Sequence, residues 1–129
     1  MNDFSVKLFA RFPMYFRPSN LYSLMRFGVE SNAGWNDLVW KLCESIEALN
    51  PPSNFEVVQV KSKFAQLSFY VKHSTPAIDA LIHDAQVQSK VLCEECGQPG
   101  KNRIRRGWFI VACEQHALDI DGNYLEPIQ

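Results

Sequence analysis

The sequence predicts an α+β fold: an antiparallel β-hairpin or sheet flanked by two helices and followed by a small cysteine- and histidine-bearing module. Three observations carry this. Residues 36–50 and 74–90 repeat apolar side chains at helical spacing between capping and breaking residues. Residues 55–72 alternate apolar and polar side chains about a polar turn. Residues 93–116 hold two pairs of metal-ligating side chain types, each pair with two residues between its members.

The chain is 129 residues long, the size of one ordinary domain. We read it as a single domain over 1–129, with an α+β core over 1–90 and a metal-binding module over 91–122. Hydrophobic residues make up 47% of it, which fits a folded core and argues against global disorder. The formal net charge of -1 provides no global grip on nucleic acid or membrane, so any such contact must come from a local patch. No apolar run is long enough to span a bilayer. The opening residues, broken by Asp3, Lys7 and Arg11, do not read as a secretion signal. The expected compartment is therefore a reducing cytoplasm, where structural disulfides are rare.

The aromatic stretch LFARFPMYF predicts a short strand or helical turn and then loops, because Pro13 and Pro18 forbid a long helix through it. Its aromatics, Phe9, Phe12, Tyr15 and Phe16, read as core, with a partner-binding patch as the alternative. Residues 20–30 predict a short helical turn ending at Gly28. The helix over 36–50 has Asn36 as N-cap, Asp37 at the positive end of its dipole, and Val39, Leu42, Cys43, Ile46 and Leu49 on one face. Asn50, Pro51 and Pro52 end it. In the hairpin, Ala65, Leu67, Phe69 and Val71 alternate with Gln66, Ser68, Tyr70 and Lys72, and the turn is expected near residues 61–63. Ser74 or Thr75 caps the second helix, Pro76 takes its first position, and Ile78, Leu81, Ile82 and Ala85 line one side.

That helix leads directly to CEECGQPG. The complete pattern is C-x2-C-x16-C-x2-H, formed by Cys93, Cys96, Cys113 and His116. Two residues between ligands let a tight turn aim both side chains at one ion, and Gly97 permits the backbone conformation such a turn needs. RRGWFIVAC can return as a strand, and EQHALDID is expected to start a helix carrying the second pair. This is the treble-clef arrangement. A thioredoxin-like redox pair would need a helix from Cys96, which Gly97, Pro99 and Gly100 oppose. Three thiolates with one imidazole form a closed structural set, which favours one structural Zn2+ over iron and leaves no open position for water. So short a segment has little core of its own, so the metal is expected to fold it. The fourth cysteine, Cys43, lies on a helix's apolar face and reads as core.

The pieces Gly34, Trp35, Leu38, Leu42 and Cys43, then residues 59–70, then residues 93–117 together resemble a family of small uncharacterised proteins of bacteria and their phages. The resemblance covers about residues 34–118. Many of those proteins carry glycine after the hairpin's Lys-Phe, where this chain has Ala65 and Gln66, so its turn is expected to differ. No activity carries over. The resemblance implies a phage or prophage setting, in the cytoplasm of a bacterial or phage-infected host cell, where small proteins often act by binding host machinery.

Other groups in the sequence could carry chemistry. Lys101, Arg103, Arg105 and Arg106, with Trp108 beside them, could hold phosphates and stack a base. Alternatively they form a solvated loop, with Trp108 packed under the metal site and Glu94, Glu95 and Glu114 offsetting the charge. His83, off its helix's apolar face, reads as exposed rather than catalytic. No nucleophile elbow, phosphate loop or metalloprotease helix motif is present. RRGWFIVAC lacks the histidine base that a treble-clef nuclease needs. The leading expectation is thus a non-enzymatic zinc protein that binds a protein partner, such as a component of a host defence system. A nucleic-acid binder using 101–106 is the alternative, and a metal-dependent nuclease a further one. No membrane partner is expected.

Overall fold

Asn2 begins the first helix. Its side-chain oxygen accepts the N–H of Ser5 at 2.8 Å, capping α1 (Asp3–Arg11). Asp3 in the first turn and Arg11 in the last both suit the helix dipole. This helix replaces the strand or turn expected here. Pro13 ends it from outside rather than interrupting it, and Leu8 and Phe12, four residues apart, bury together. The computed structural model describes residues 1–128.

The next segment runs irregularly along one edge of the main hairpin. Phe16 bridges Val57 and Glu30 bridges Lys61, and Leu24 and Glu30 donate N–H bonds to the carbonyls of Val58 and Val60. Within it Met25–Phe27 forms the short helical turn expected before Gly28. The N-terminal aromatics are core: Phe12 and Phe16 are buried, and Phe9 stacks on Phe16 at 5.0 Å.

A single 3-10 turn, Ala33–Trp35, leads into α2 (Asn36–Ala48). The cap falls at Trp35, not Asn36, and no side chain supplies its hydrogen bond. Val39, Leu42, Cys43 and Ile46 are buried as expected, whereas Leu49 lies past the last turn and is exposed. Strands β1 (Glu56–Lys63) and β2 (Gln66–Lys72) form an antiparallel pair, with Lys63 opposite Gln66. The turn is therefore Phe64–Ala65, later than expected. Both residues have positive φ, 53° and 60°, the two-residue turn that matches hairpin twist but is costly for side chains with a Cβ. Helix α3 (Pro76–Ser89) is capped by Thr75, with Pro76 in its first turn, and packs on α2 and β2. A second sheet pairs β3 (Lys101–Arg105) with β4 (Trp108–Ala112). Val111 of β4 belongs to the same core as the helices. No helix among the described residues is long and apolar enough to cross a membrane.

Candidate metal centre

The chain leaves α3 and makes a tight turn at Cys93. The N–H of Cys93 bonds the Gln98 carbonyl at 2.7 Å, and the N–H of Gly97 bonds the Cys93 carbonyl at 2.9 Å. Gly97 has φ 77°, so the turn uses the left-handed backbone that glycine accepts readily. Cys113 follows β4 in extended conformation, and the 3-10 turn Glu114–His116 brings His116 back beside it.

The ligating atoms of Cys93, Cys96, Cys113 and His116 all lie within 4.8 Å of one another. His116 Nδ1 is 3.2 Å from Cys113 Sγ and 3.7 Å from Cys93 Sγ, and the sulfurs of Cys96 and Cys113 are 3.7 Å apart. Donors on a tetrahedral zinc ion, at bond lengths of about 2.0–2.3 Å, stand roughly 3.5–3.8 Å apart. The four side chains thus fit one tetrahedral metal ion, and the donor set is compatible with zinc.

The thiols are electrostatically unequal. At Cys113 burial opposes the thiolate, but hydrogen bonds from His116, Cys96 and Cys93 outweigh it and lower the thiol to about 6. At Cys96 a backbone bond from Gln98 favours the thiolate, yet burial and the neighbouring thiols prevail and raise it. Cys43 lies apart in the core, where burial pushes its thiol far up, as expected for a structural cysteine.

Three further residues, absent from the expected metal site, hold the Cys93 turn in place. The Gly34 N–H bonds the Glu94 carbonyl at 2.7 Å, and the Trp35 indole N–H bonds the Leu92 carbonyl at 2.9 Å. Glu94, expected as a surface charge, is only 6% exposed. One of its oxygens accepts the Ser62 hydroxyl at 2.8 Å and the other the Val111 N–H at 2.7 Å, which joins both sheets to the turn. The adjacent glycine and tryptophan at 34–35 were a visible signal, but nothing local identified their partner.

Arg103 corrects the proposed basic surface. It is 1% exposed, and its guanidinium donates to the carbonyls of Ala112 and Leu125, to Tyr124 Oη and to Glu114. It therefore ties the final segment to the ligand turn and has no donor directed at a phosphate. Arg105 is half-buried and donates to the His116 carbonyl at 2.8 Å. Lys101, Arg106 and Trp108 remain exposed. Trp108, 75% exposed, does not pack under the site. His83 is exposed, as expected.

The helix expected over EQHALDID stops after one 3-10 turn. Asp119 accepts the N–H groups of Asp121 and Asn123, each at 2.9 Å, and these are backbone donors a continuing helix would use. Leu118 instead bridges Tyr124. The order of turn, hairpin and second ligand pair is retained, without a full closing helix. Comparison of the chain with protein-family models, curated proteins and solved structures finds no match.

Proposed function

We propose that this is a non-enzymatic zinc protein that acts by binding a protein partner, in a phage or prophage setting and within the cytoplasm. Its partner would belong to host machinery, such as a defence system. The setting rests on the resemblance of residues 34–118 alone. Four protein donors complete a tetrahedral shell, so the metal's role is to brace the fold rather than to activate water.

The observation that carries a binding role is the tip of the second hairpin. Trp108, Phe109 and Ile104 are all exposed there, on strands fixed at their other end by the metal ligands and by Val111 in the core. An exposed tryptophan is the kind of residue that dominates protein interfaces. The cationic alternative is weakened because Arg103 is consumed internally and Arg105 is held to His116.

Affinity capture from a host lysate, with and without nuclease, tests this. A defined protein that survives nuclease, and is lost with Trp108→Ala while zinc content is unchanged, supports the reading. Capture that vanishes with nuclease supports the nucleic-acid alternative instead.

A further inference from the structure

The four metal-site donors differ in their access to solvent. Cys93 is fully buried, 0% exposed, beneath the turn that Gly34 and Trp35 cover. Cys113 is half-buried, and Cys96 is exposed. The two accessible sulfurs are adjacent, 3.7 Å apart. A disulfide needs a sulfur separation of about 2.05 Å, so a further approach of under 2 Å is required, across a site where ligands come from separate turns. Redox-responsive cysteines combine thiolate character and exposure with a resolving thiol nearby.

We infer that the centre is a peroxide-sensitive switch, in which the solvent-exposed, metal-held Cys96 sulfur reacts first, the adjacent Cys113 resolves it, and disulfide formation ejects the zinc. The inference rests on the zinc reading of the site. In the first step Cys96 sulfur attacks one oxygen of a hydroperoxide. A sulfur–oxygen bond forms, the oxygen–oxygen bond breaks, and hydroxide or alkoxide leaves. Sulfur is oxidised by two electrons to a sulfenic acid and the peroxide is reduced. In the second step Cys113 thiolate attacks the Cys96 sulfur. The sulfur–sulfur bond forms, the sulfur–oxygen bond breaks, and hydroxide leaves.

Only Cys93 and His116 then remain as donors, too few for a structural zinc site. The turn itself keeps anchors that involve no sulfur: the Gly34–Glu94 and Trp35–Leu92 bonds and the two bonds to the Glu94 carboxylate. These hold Cys93 in place, so a dithiol reductant can restore the donor set.

The test uses the full-length protein. Zinc is first measured per chain. Hydrogen peroxide is then added in equimolar amount, zinc release is followed with a chromogenic chelator, and the cysteines are mapped by non-reducing peptide analysis. The expected result is a Cys96–Cys113 disulfide with Cys93 reduced, release of about one zinc per disulfide formed, and rebinding after a thiol reductant. Cys43→Ala should behave identically, since that thiol is buried elsewhere. Protein without zinc at the outset overturns both the zinc reading and the switch. Zinc that stays bound under peroxide, or a disulfide that includes Cys93, overturns the switch alone.

Discussion

Gly34 lies directly against the Cys93 carbonyl: a Cβ at position 34 would sit 2.1 Å from that oxygen and 2.5 Å from the Glu94 carbonyl carbon. Both obstacles are backbone atoms of the metal-binding turn, so neither can rotate away. The approach of α2 to the metal site therefore demands glycine for reasons of space.

Gly34→Ala is accordingly expected to push the turn off the helix start. It would break the Gly34–Glu94 and Trp35–Leu92 bonds together. The expected loss is about 1–3 kcal/mol, the range for overpacking, with weaker zinc retention. Denaturant unfolding and chelator competition measure the two effects. A variant with unchanged stability and zinc retention would show that the contact is not tight.

Arg103→Ala provides a second check, because its effect separates a structural arginine from a surface one. Its removal strands the Ala112 and Leu125 carbonyls and frees Glu114 and Tyr124. A loss of about 1.5–3 kcal/mol is expected, as for hydrogen bonds to a charged group. Arg106→Ala, at an exposed position, should cost less than about 0.5 kcal/mol.

These positions also indicate what could be seen in the sequence. The four ligands were legible because metal chemistry imposes local spacing, and α3 because Thr75-Pro76 and the Ile78, Ile82 and Ala85 face are local signals. Helix α1 is hard to see in the sequence because Pro13 and Pro18 bar a long helix through the aromatic stretch, and α1 ends at Arg11, just before them, on a cap from Asn2 alone. Arg103 and Glu94 were misplaced on the surface. Both are charged residues buried by partners 9 to 32 positions away, and nothing in a local pattern announces such pairings. The terminal helix was overextended because Asp119 competes for the backbone donors of its own neighbours.

Zinc binding should release fewer protons than three thiols would suggest. Against the opposing effect of burial, hydrogen bonds from His116 and the neighbouring thiols lower the Cys113 thiol from 9.0 to about 6. A depressed thiol means that folding favours the thiolate. That contribution is complete above about 9 and fades as pH falls through about 6. At pH 7 the Cys113 thiolate is already favoured, so zinc binding releases fewer protons than three thiols carry. Calorimetry in buffers of different ionisation enthalpy measures this number. Release of about three would show that His116 and the neighbouring thiols do not hold the Cys113 charge.

The last prediction separates a protein-binding hairpin from a nucleic-acid one. A phosphate-binding patch would depend on its cations and weaken steeply with salt, as counterions are displaced. Among the basic residues at 101–106, Lys101 and Arg106 are exposed, whereas Arg103 is buried and Arg105 is held by His116. Two such charges beside one tryptophan form a weak electrostatic site. Titration with single- and double-stranded DNA and RNA at about 50 mM salt should therefore show no specific binding. The Lys101→Ala/Arg106→Ala double variant should keep its fold, its zinc and its captured protein. Trp108→Ala should also keep fold and zinc, because its ring is 75% exposed, yet should lose the captured protein. Tight binding of single strands that collapses in the double variant would reverse the assignment, making Trp108 a base-stacking platform instead of an interface anchor.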